Sequence, residues 1–273
     1  MASRPHSQSH ITLYRGWKDT GKYVWSPFVT KVELRFRLAG VKYSTEAGSP
    51  LKAPRGKIPY IEFSDTDTRT SATLSDSTLI ISDLVQGGQL EDLNARLSPE
   101  QKAYDLALRA LLEDKLYFYH TYERFVQNYY HMRDHVLEAL SYPLRLIIGQ
   151  LMYRSHASTL HGQGTGRFSP TEIATFRLQI WESFNDLLVS SKLKSESNTE
   201  PFWVLGGDEP TEIDMVLFSF IVSVMYCTAA PDSQKVIRGF PVLLDYAGRI
   251  HERWFPDYER WDDRGSCHLQ ETG

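Results

Sequence analysis

Three short stretches carry residue types that could do chemistry together. The first is Ile58-Pro59-Tyr60-Ile61-Glu62-Phe63, an apolar run opened by proline. Proline has no N–H for a ladder, so Pro59 belongs at a strand's first residue or on an edge. It also pushes Ile58 into extended geometry, which lets the N–H and C=O of Ile58 face outward and pair with another chain. The second stretch is Asp76-Ser77, where a helix can begin with free N–H groups at its N-terminus. A pairable strand end beside a helix N-terminus suits a short peptide carrying a carboxylate. The third is Ser26-Pro27, a good N-cap followed by proline at the favoured first helical position, which fixes a hydroxyl at a helix start.

Other signals point to weaker chemistry. His131 and His135 stand one helical turn apart, as in a zinc site, but no glutamate follows the first histidine and no third ligand is evident. A solvated helix face is expected there, and no metal. Gly162-Gln163-Gly164-Thr165-Gly166 follows a helical pattern rather than a strand, so it reads as an interhelical loop and not a phosphate cradle. No Gly-x-Ser-x-Gly elbow occurs, which weakens a hydrolase reading of Ser26.

The elements around these stretches form two blocks. Ile11 to Tyr14 reads as a strand, followed by a polar and aromatic loop from Arg15 to Trp25. A helix then runs from Ser26 to Gly40, although Val32, Leu34, Phe36 and Leu38 alternate with Glu33, Arg35 and Arg37 as in a strand. Val41 to Ser44 is a second strand, and Thr45 to Lys57 leaves room for at most one turn of helix. Strands at Pro59 to Phe63 and Ser71 to Leu74 flank a turn, and a helix runs from Asp76 to about Val85. After Gly87-Gly88 the pattern is helical throughout. Ser98-Pro99-Glu100-Gln101, Ser169-Pro170-Thr171-Glu172 and Thr211-Glu212-Ile213-Asp214 each open a helix as a capping box. The third helix, Met215 to Tyr226, is apolar nearly all round and should be the buried centre of a bundle. Phe240-Pro241 starts a last helix, stopped by Pro256. The expectation is an α+β chain of two domains, 10–88 and 97–260, the second all-helical.

The 273 residues, 41% hydrophobic and 23% charged, match a globular protein. A net charge of −4 gives no electrostatic reason to expect nucleic acid or an anionic membrane. Two cysteines, Cys227 and Cys267, cannot build a disulfide framework and fit a reducing compartment. Met1 to His10 lacks an apolar core, and Met215 to Tyr226 is shorter than the about 20 residues that span a bilayer. A cytoplasmic location is expected.

The chain resembles the glutathione-transferase superfamily: a thioredoxin-like N-terminal domain followed by an all-α C-terminal bundle. Ala53-Pro54-Arg55-Gly56-Lys57-Ile58-Pro59 is similar to the family's Asn-Pro-x-Gly-Lys-Val-Pro segment, whose last proline is cis. Ser75-Asp76-Ser77-Thr78-Leu79-Ile80 is similar to its Glu-Ser-x-x-Ile segment, which holds the γ-glutamyl carboxylate. Thr211 to Asp214 resembles its buried capping box, and Phe240-Pro241 to Arg249 its final-helix pattern. Ser26-Pro27-Phe28 stands where a catalytic serine or cysteine precedes proline. The long first loop and eroded second helix resemble the metaxin and failed-axon-connections branch, and fungal biosynthetic glutathione transferases of the pseurotin-pathway kind also look similar.

The resemblance implies glutathione as co-substrate and catalysis by its thiolate. A free thiol has a pKa of about 8.5, so holding it mostly ionised at pH 7 needs a shift of roughly two units, about 2.7 kcal/mol. Ser26 is the first candidate donor, or a plain N-cap, and one serine can do both. Tyr14 is the rival donor, or a core tyrosine. Ile58 would pair with the cysteinyl backbone, Pro59 fixing the bend. Asp76 and Ser77 would meet the γ-glutamyl end, and Lys57 the glycyl carboxylate. Tyr119 and Tyr122 would line an apolar pocket for the second substrate. The outcome is addition to an electrophilic apolar molecule, ending in transfer or, after elimination, in the double-bond isomerisation of secondary metabolism. The alternative is a non-catalytic binding or adaptor protein. Homodimers are common in the family, but no residue here locates an interface.

Overall fold

The structure, a computed structural model, describes residues 9–49, 52–65, 71–195 and 199–262. It divides into two compact units, the residues up to Arg96 together with those from Ile250, and Leu97–Arg249. The expected limits of 10–88 and 97–260 differ from these units chiefly at the end, because the stretch from Ile250 groups with the first unit.

The first unit is built on four strands, β1 (Ser9–Tyr14), β2 (Tyr43–Glu46), β3 (Tyr60–Asp65) and β4 (Ser71–Ser75), in the order β2-β1-β3-β4. β1 and β2 are parallel, joined through α1 (Pro27–Leu38), and the other pairs are antiparallel. α2 (Ser77–Gln86) follows β4. Alternation sorts the sheet: Ile11, Leu13 and Ile61 pack with Val32 and Phe36 of α1 and with Ile80, Ile81 and Leu84 of α2. The arrangement is thioredoxin-like. Gly40, at φ +65°, ends α1 and lets Val41 donate back to the Phe36 carbonyl at 2.9 Å. Between β2 and β3 the described residues make only turns, such as Gly56 N–H to the Ala53 carbonyl at 2.9 Å.

The charged residues of α1 are the surprise. Lys31, Glu33 and Arg35 are all buried: Lys31 faces Thr78 and Arg35 donates to the Glu91 carbonyl at 2.6 Å, while the loop after β1 and the stretch from Ile250 cover Glu33. Arg15 meets Glu33 at 3.1 Å, and Tyr258 donates to the same carboxylate at 2.8 Å. Burial pushes the Glu33 carboxyl up while Arg15 and Tyr258 pull it down. Arg37 holds Asp257 with both terminal guanidinium nitrogens, its Cζ lying 4.4 Å from the centroid of the Phe255 ring and 4.5 Å from that of Tyr258.

In the second unit the helices are α3 (Pro99–Ala110), α4 (Tyr117–Tyr122), α5 (Tyr129–Val136), α6 (Tyr142–Gln163), α7 (Pro170–Lys194), α8 (Glu212–Tyr226), α9 (Pro231–Arg238) and the start of α10 (Pro241–Trp254). Two π-helical stretches, Leu111–Leu116 and Glu123–Gln127, link α3 to α4 and α4 towards α5. Reciprocal capping boxes open α3, α7 and α8. α8 is buried from Ile213 to Tyr226. Its start is held by Asp105, which accepts the Ile213 N–H at 2.9 Å. Glu123, fully buried, is paired with Arg177 and accepts the N–H groups of Asp232 and Ser233 at 2.9 and 3.1 Å, so a side chain of this unit caps α9.

Candidate functional site

Sheet topology decides which ends converge. A parallel crossover leaves from the C-terminal end of β1, so α1 begins at that end and carries the chain back to the other end for β2. β3 is antiparallel to β1 and starts at that end; β4 is antiparallel to β3 and finishes there. The N-termini of α1 and α2, Ser26 and Asp76-Ser77, therefore share one end of the sheet with Ile58-Pro59.

The Ile58-Pro59 bond is cis. No backbone hydrogen bond to Ile58 occurs among the described residues. Gly16, at φ +91°, lies over its side chain: a Cβ there would stand 3.1 Å from Ile58 Cδ1. Asp76 donates its N–H to the Pro59 carbonyl at 3.4 Å, which ties the helix start to the strand start. Asp76 is also, among the described residues, the non-glycine with positive φ, +82°. That conformation is costly for a side-chain-bearing residue, and such residues gather at binding sites. Its Oδ1 accepts the Thr78 and Leu79 N–H groups at 3.0 and 3.3 Å. Ser77 follows, buried, with its own N–H and hydroxyl uncommitted among the described residues. Lys57 is exposed.

Ser26 occupies the N-cap of α1 at φ −86°, ψ 115°, but its hydroxyl makes no capping bond. It is half-buried. Tyr14 is differently engaged. Rather than entering the core, it lies on the opposite sheet face, stacked on Tyr60 at 4.2 Å, and donates to Glu62 at 2.7 Å. That bond to Glu62 is the main reason its hydroxyl is pushed up to about 12. Tyr14→Phe is accordingly expected to cost about 1 kcal/mol of stability in chemical denaturation while leaving turnover within about twofold of wild type. A loss of ten-fold or more would restore Tyr14 as the donor.

The residue that the sequence does not announce is Lys31. Its ammonium, 2% exposed, donates to Thr78 Oγ1 at 3.1 Å and sets a positive charge beside the first turn of α2. The signal available is spacing alone: Lys31 follows Pro27 by four, on the face of the helix start.

Tyr119 and Tyr122 lie in the second unit. Tyr119 is buried, 6.1 Å from the Phe176 ring, and burial pushes its hydroxyl up. Tyr122 is half-buried. His131 is exposed on α5, and no group of three or more His, Cys, Asp or Glu among the described residues is arranged to hold a metal. Gly164 ends α6 in the left-handed region, φ +110°, and a short 3-10 turn follows, as an interhelical connection requires. No helix among the described residues is long and apolar enough to cross a membrane.

A family model described as the glutathione S-transferase N-terminal domain matches residues 27–132. Failed axon connections of Drosophila melanogaster is 26% identical over 254 residues, covering 87% of this chain but 56% of that protein, so the chain spans about half the length of that relative. An isoprene-epoxide glutathione S-transferase of a Rhodococcus species is 26% identical over 252 residues, covering 89% of this chain and 99% of that protein. A solved glutathione transferase family member from Pseudomonas fluorescens, with two glutathione bound, superimposes with a TM-score of 0.53 at 13% identity, covering 93% of this chain and 91% of that one. At that identity the likeness is one of fold.

Proposed function

This chain belongs to the glutathione-transferase-like superfamily, and from that premise we propose a glutathione-dependent transferase or isomerase acting on an electrophilic apolar small molecule. The observation that carries the reading is the sheet end itself. An Ile58 backbone that is unpaired among the described residues stands one hydrogen bond from a helix start whose Ser77 N–H and hydroxyl are likewise uncommitted among them. These groups fit a γ-glutamyl peptide: Ile58 takes the cysteinyl backbone and Ser77 the γ-glutamyl carboxylate, with Lys31 adding charge to that end. Asp76, its Oδ1 spent on the cap, offers Oδ2 to the ammonium. Lys57 reaches for the glycyl carboxylate, and Ser26 donates to sulfur at the start of α1. Bound glutathione would supply the nucleophile, and the isoprene-epoxide relative supports an epoxide-like electrophile.

Tyr119, whose ring lies 6.1 Å from that of Phe176, and the half-buried Tyr122 are the proposed lining of an apolar pocket for the second substrate. A free, buried Cys227 fits a reducing cytoplasm. The fungal resemblance favours a role in secondary metabolism, where addition and elimination give double-bond isomerisation.

Ultraviolet difference titration with glutathione tests the reading. Wild type should bind at or below about millimolar concentration, a free energy of about −4 kcal/mol, with the thiol ionised at pH 7. Lys31→Met should weaken binding about tenfold, about 1.4 kcal/mol. No binding at millimolar glutathione sinks the proposal. Binding with an ordinary thiol pKa would select the non-catalytic binding protein instead.

A further inference from the structure

The sheet of the first unit has an open edge at β2, which pairs with β1 alone among the described strands. The Arg15 N–H meets the Glu46 carbonyl at 2.8 Å, and in a parallel ladder alternate residues turn their main chain to the partner. Ser44 and Glu46 therefore face β1, while Tyr43 and Thr45 present their N–H and C=O groups outward. No bond outside the ladder reaches those four groups among the described residues. Edge strands are ordinarily blunted by shortness and by lysine. β2 has both, with four residues and Lys42 just ahead of them.

Blunting does not require a second wall, and this edge has one. A cavity of about 470 Å³ is bounded by the five residues 41–45 and by Gly21, Asp257 and Tyr258 from outside the sheet. Glu259 donates its N–H to the Gly21 carbonyl at 2.8 Å, which ties the two parts of that wall together. Five residues of extended chain span about 13 Å, the length of an extended segment rather than of a compact ligand. The charges say what the segment carries. Of the charged residues lining the cavity, Arg37 and Asp257 hold each other, whereas Lys42 is exposed with no charged partner among the described residues. Glu46, exposed past the end of the cavity, disfavours a second carboxylate there. Tyr43 turns to the α1 side, its ring 5.3 Å from Phe36, so Lys42 and Ser44 stand on the other face.

We infer that this edge takes a fifth strand: an extended peptide segment of another protein, alternating apolar and polar residues, with a carboxylate beside Lys42. Main-chain pairing to Tyr43 and Thr45 supplies the affinity, and alternate side chains supply the choice of partner. The apolar residues of the segment lie on the side of Tyr43 and Tyr258, the polar ones on that of Lys42 and Ser44. β2 runs parallel to β1, so it starts at the end of the sheet away from Ile58-Pro59. The surface is separate from the proposed glutathione end, and its test is independent of that of the proposed function.

Nuclear magnetic resonance titration of the full, isotope-labelled chain with the capped peptide Ac-Val-Glu-Val-Thr-Val-NH2 decides it. The amide signals of Tyr43 and Thr45 should shift saturably below about millimolar peptide, and their hydrogen exchange should slow at saturation. The same peptide N-methylated at its three central residues cannot pair along the edge and should not bind. Lys42→Glu, a change at an exposed site, should weaken binding about fivefold with unaltered circular dichroism. Replacing the peptide's glutamate by lysine should restore binding to that variant. No saturable shift at about millimolar peptide overturns the proposal, as does equal binding of the N-methylated peptide. Binding indifferent to Lys42→Glu overturns the placement of the carboxylate. If the same amides shift on concentrating the protein alone, the edge serves a second copy and the peptide assignment falls.

Discussion

Ser26→Ala is expected to return the thiol of bound glutathione from about 6.5 to its ordinary pKa near 8.5 and to cut turnover at pH 7 about 20-fold. The magnitude follows from ionisation alone: a thiol two units above its tuned value goes from mostly ionised to a few per cent ionised at pH 7. The same arithmetic fixes the pH dependence. The deficit of the variant is largest near and below pH 7 and shrinks as the pH rises past about 8.5, where the untuned thiol ionises unaided. Stability should barely change, because the Ser26 hydroxyl makes no capping bond to lose; an ordinary N-cap serine would cost about 1 kcal/mol. That contrast separates a donor from a cap, and a pH–rate profile with a melting curve reads both. If the thiol shift survives in Ser26→Ala, the α1 backbone N–H groups hold the sulfur unaided and the serine assignment fails.

The site was legible where chemistry and local structure coincide. Ser26-Pro27, Ile58-Pro59 and Asp76-Ser77 are each a punctuation mark in the sequence, and topology brings three punctuation marks to one end of the sheet. Lys31 was not legible, for a physical reason. The alternation of Lys31, Glu33 and Arg35 with apolar neighbours reads as one wet face, yet all three are buried. Lys31 meets Thr78 and Arg35 the Glu91 carbonyl, while Glu33 is met by Arg15 and by Tyr258, the latter 225 positions away. No short window around α1 contains both Lys31, Glu33 or Arg35 and the residue that meets it.

The helical unit shows the same division. The capping boxes at Ser98, Ser169 and Thr211 are four-residue devices and are read directly. The π-helical stretches at Leu111–Leu116 and Glu123–Gln127 were invisible, because an i→i+5 turn shifts the buried face without changing composition. α6 went unremarked because it is exposed on most sides, so its apolar residues mark no core. α9 begins at Pro231 but depends on Glu123, more than a hundred positions away, for its cap.

Asp214 carries the largest stability prediction. Its two oxygens accept from the Val204 N–H at 2.8 Å, the Thr211 N–H at 2.8 Å and hydroxyl at 2.9 Å, and the Tyr246 hydroxyl at 3.0 Å. The side chain thus caps the buried helix α8, pins the loop at Val204 and anchors α10 through Tyr246. Asp214→Ala removes a cap worth about 1 kcal/mol and strands buried donors at about 1–3 kcal/mol each, so a loss of about 3–5 kcal/mol is expected in chemical denaturation. A loss below about 1 kcal/mol would mean the network is ornamental. Burial pushes this carboxyl up to about 6, against the pull of its donors, whereas an unfolded aspartate titrates near 3.9. The native state therefore holds the proton more tightly, and the contribution of Asp214 is fully present below about pH 4 and lost as pH rises through about 6. Glu33, also raised, adds a slope of the same sign. Asp214→Asn cannot ionise but leaves Glu33 in place, so subtracting its stability profile from that of wild type isolates one carboxyl. The difference should fall by about 2 kcal/mol between pH 4 and 6.5; a flat difference would show that the four donors hold Asp214 ionised at the same pH as in the unfolded chain.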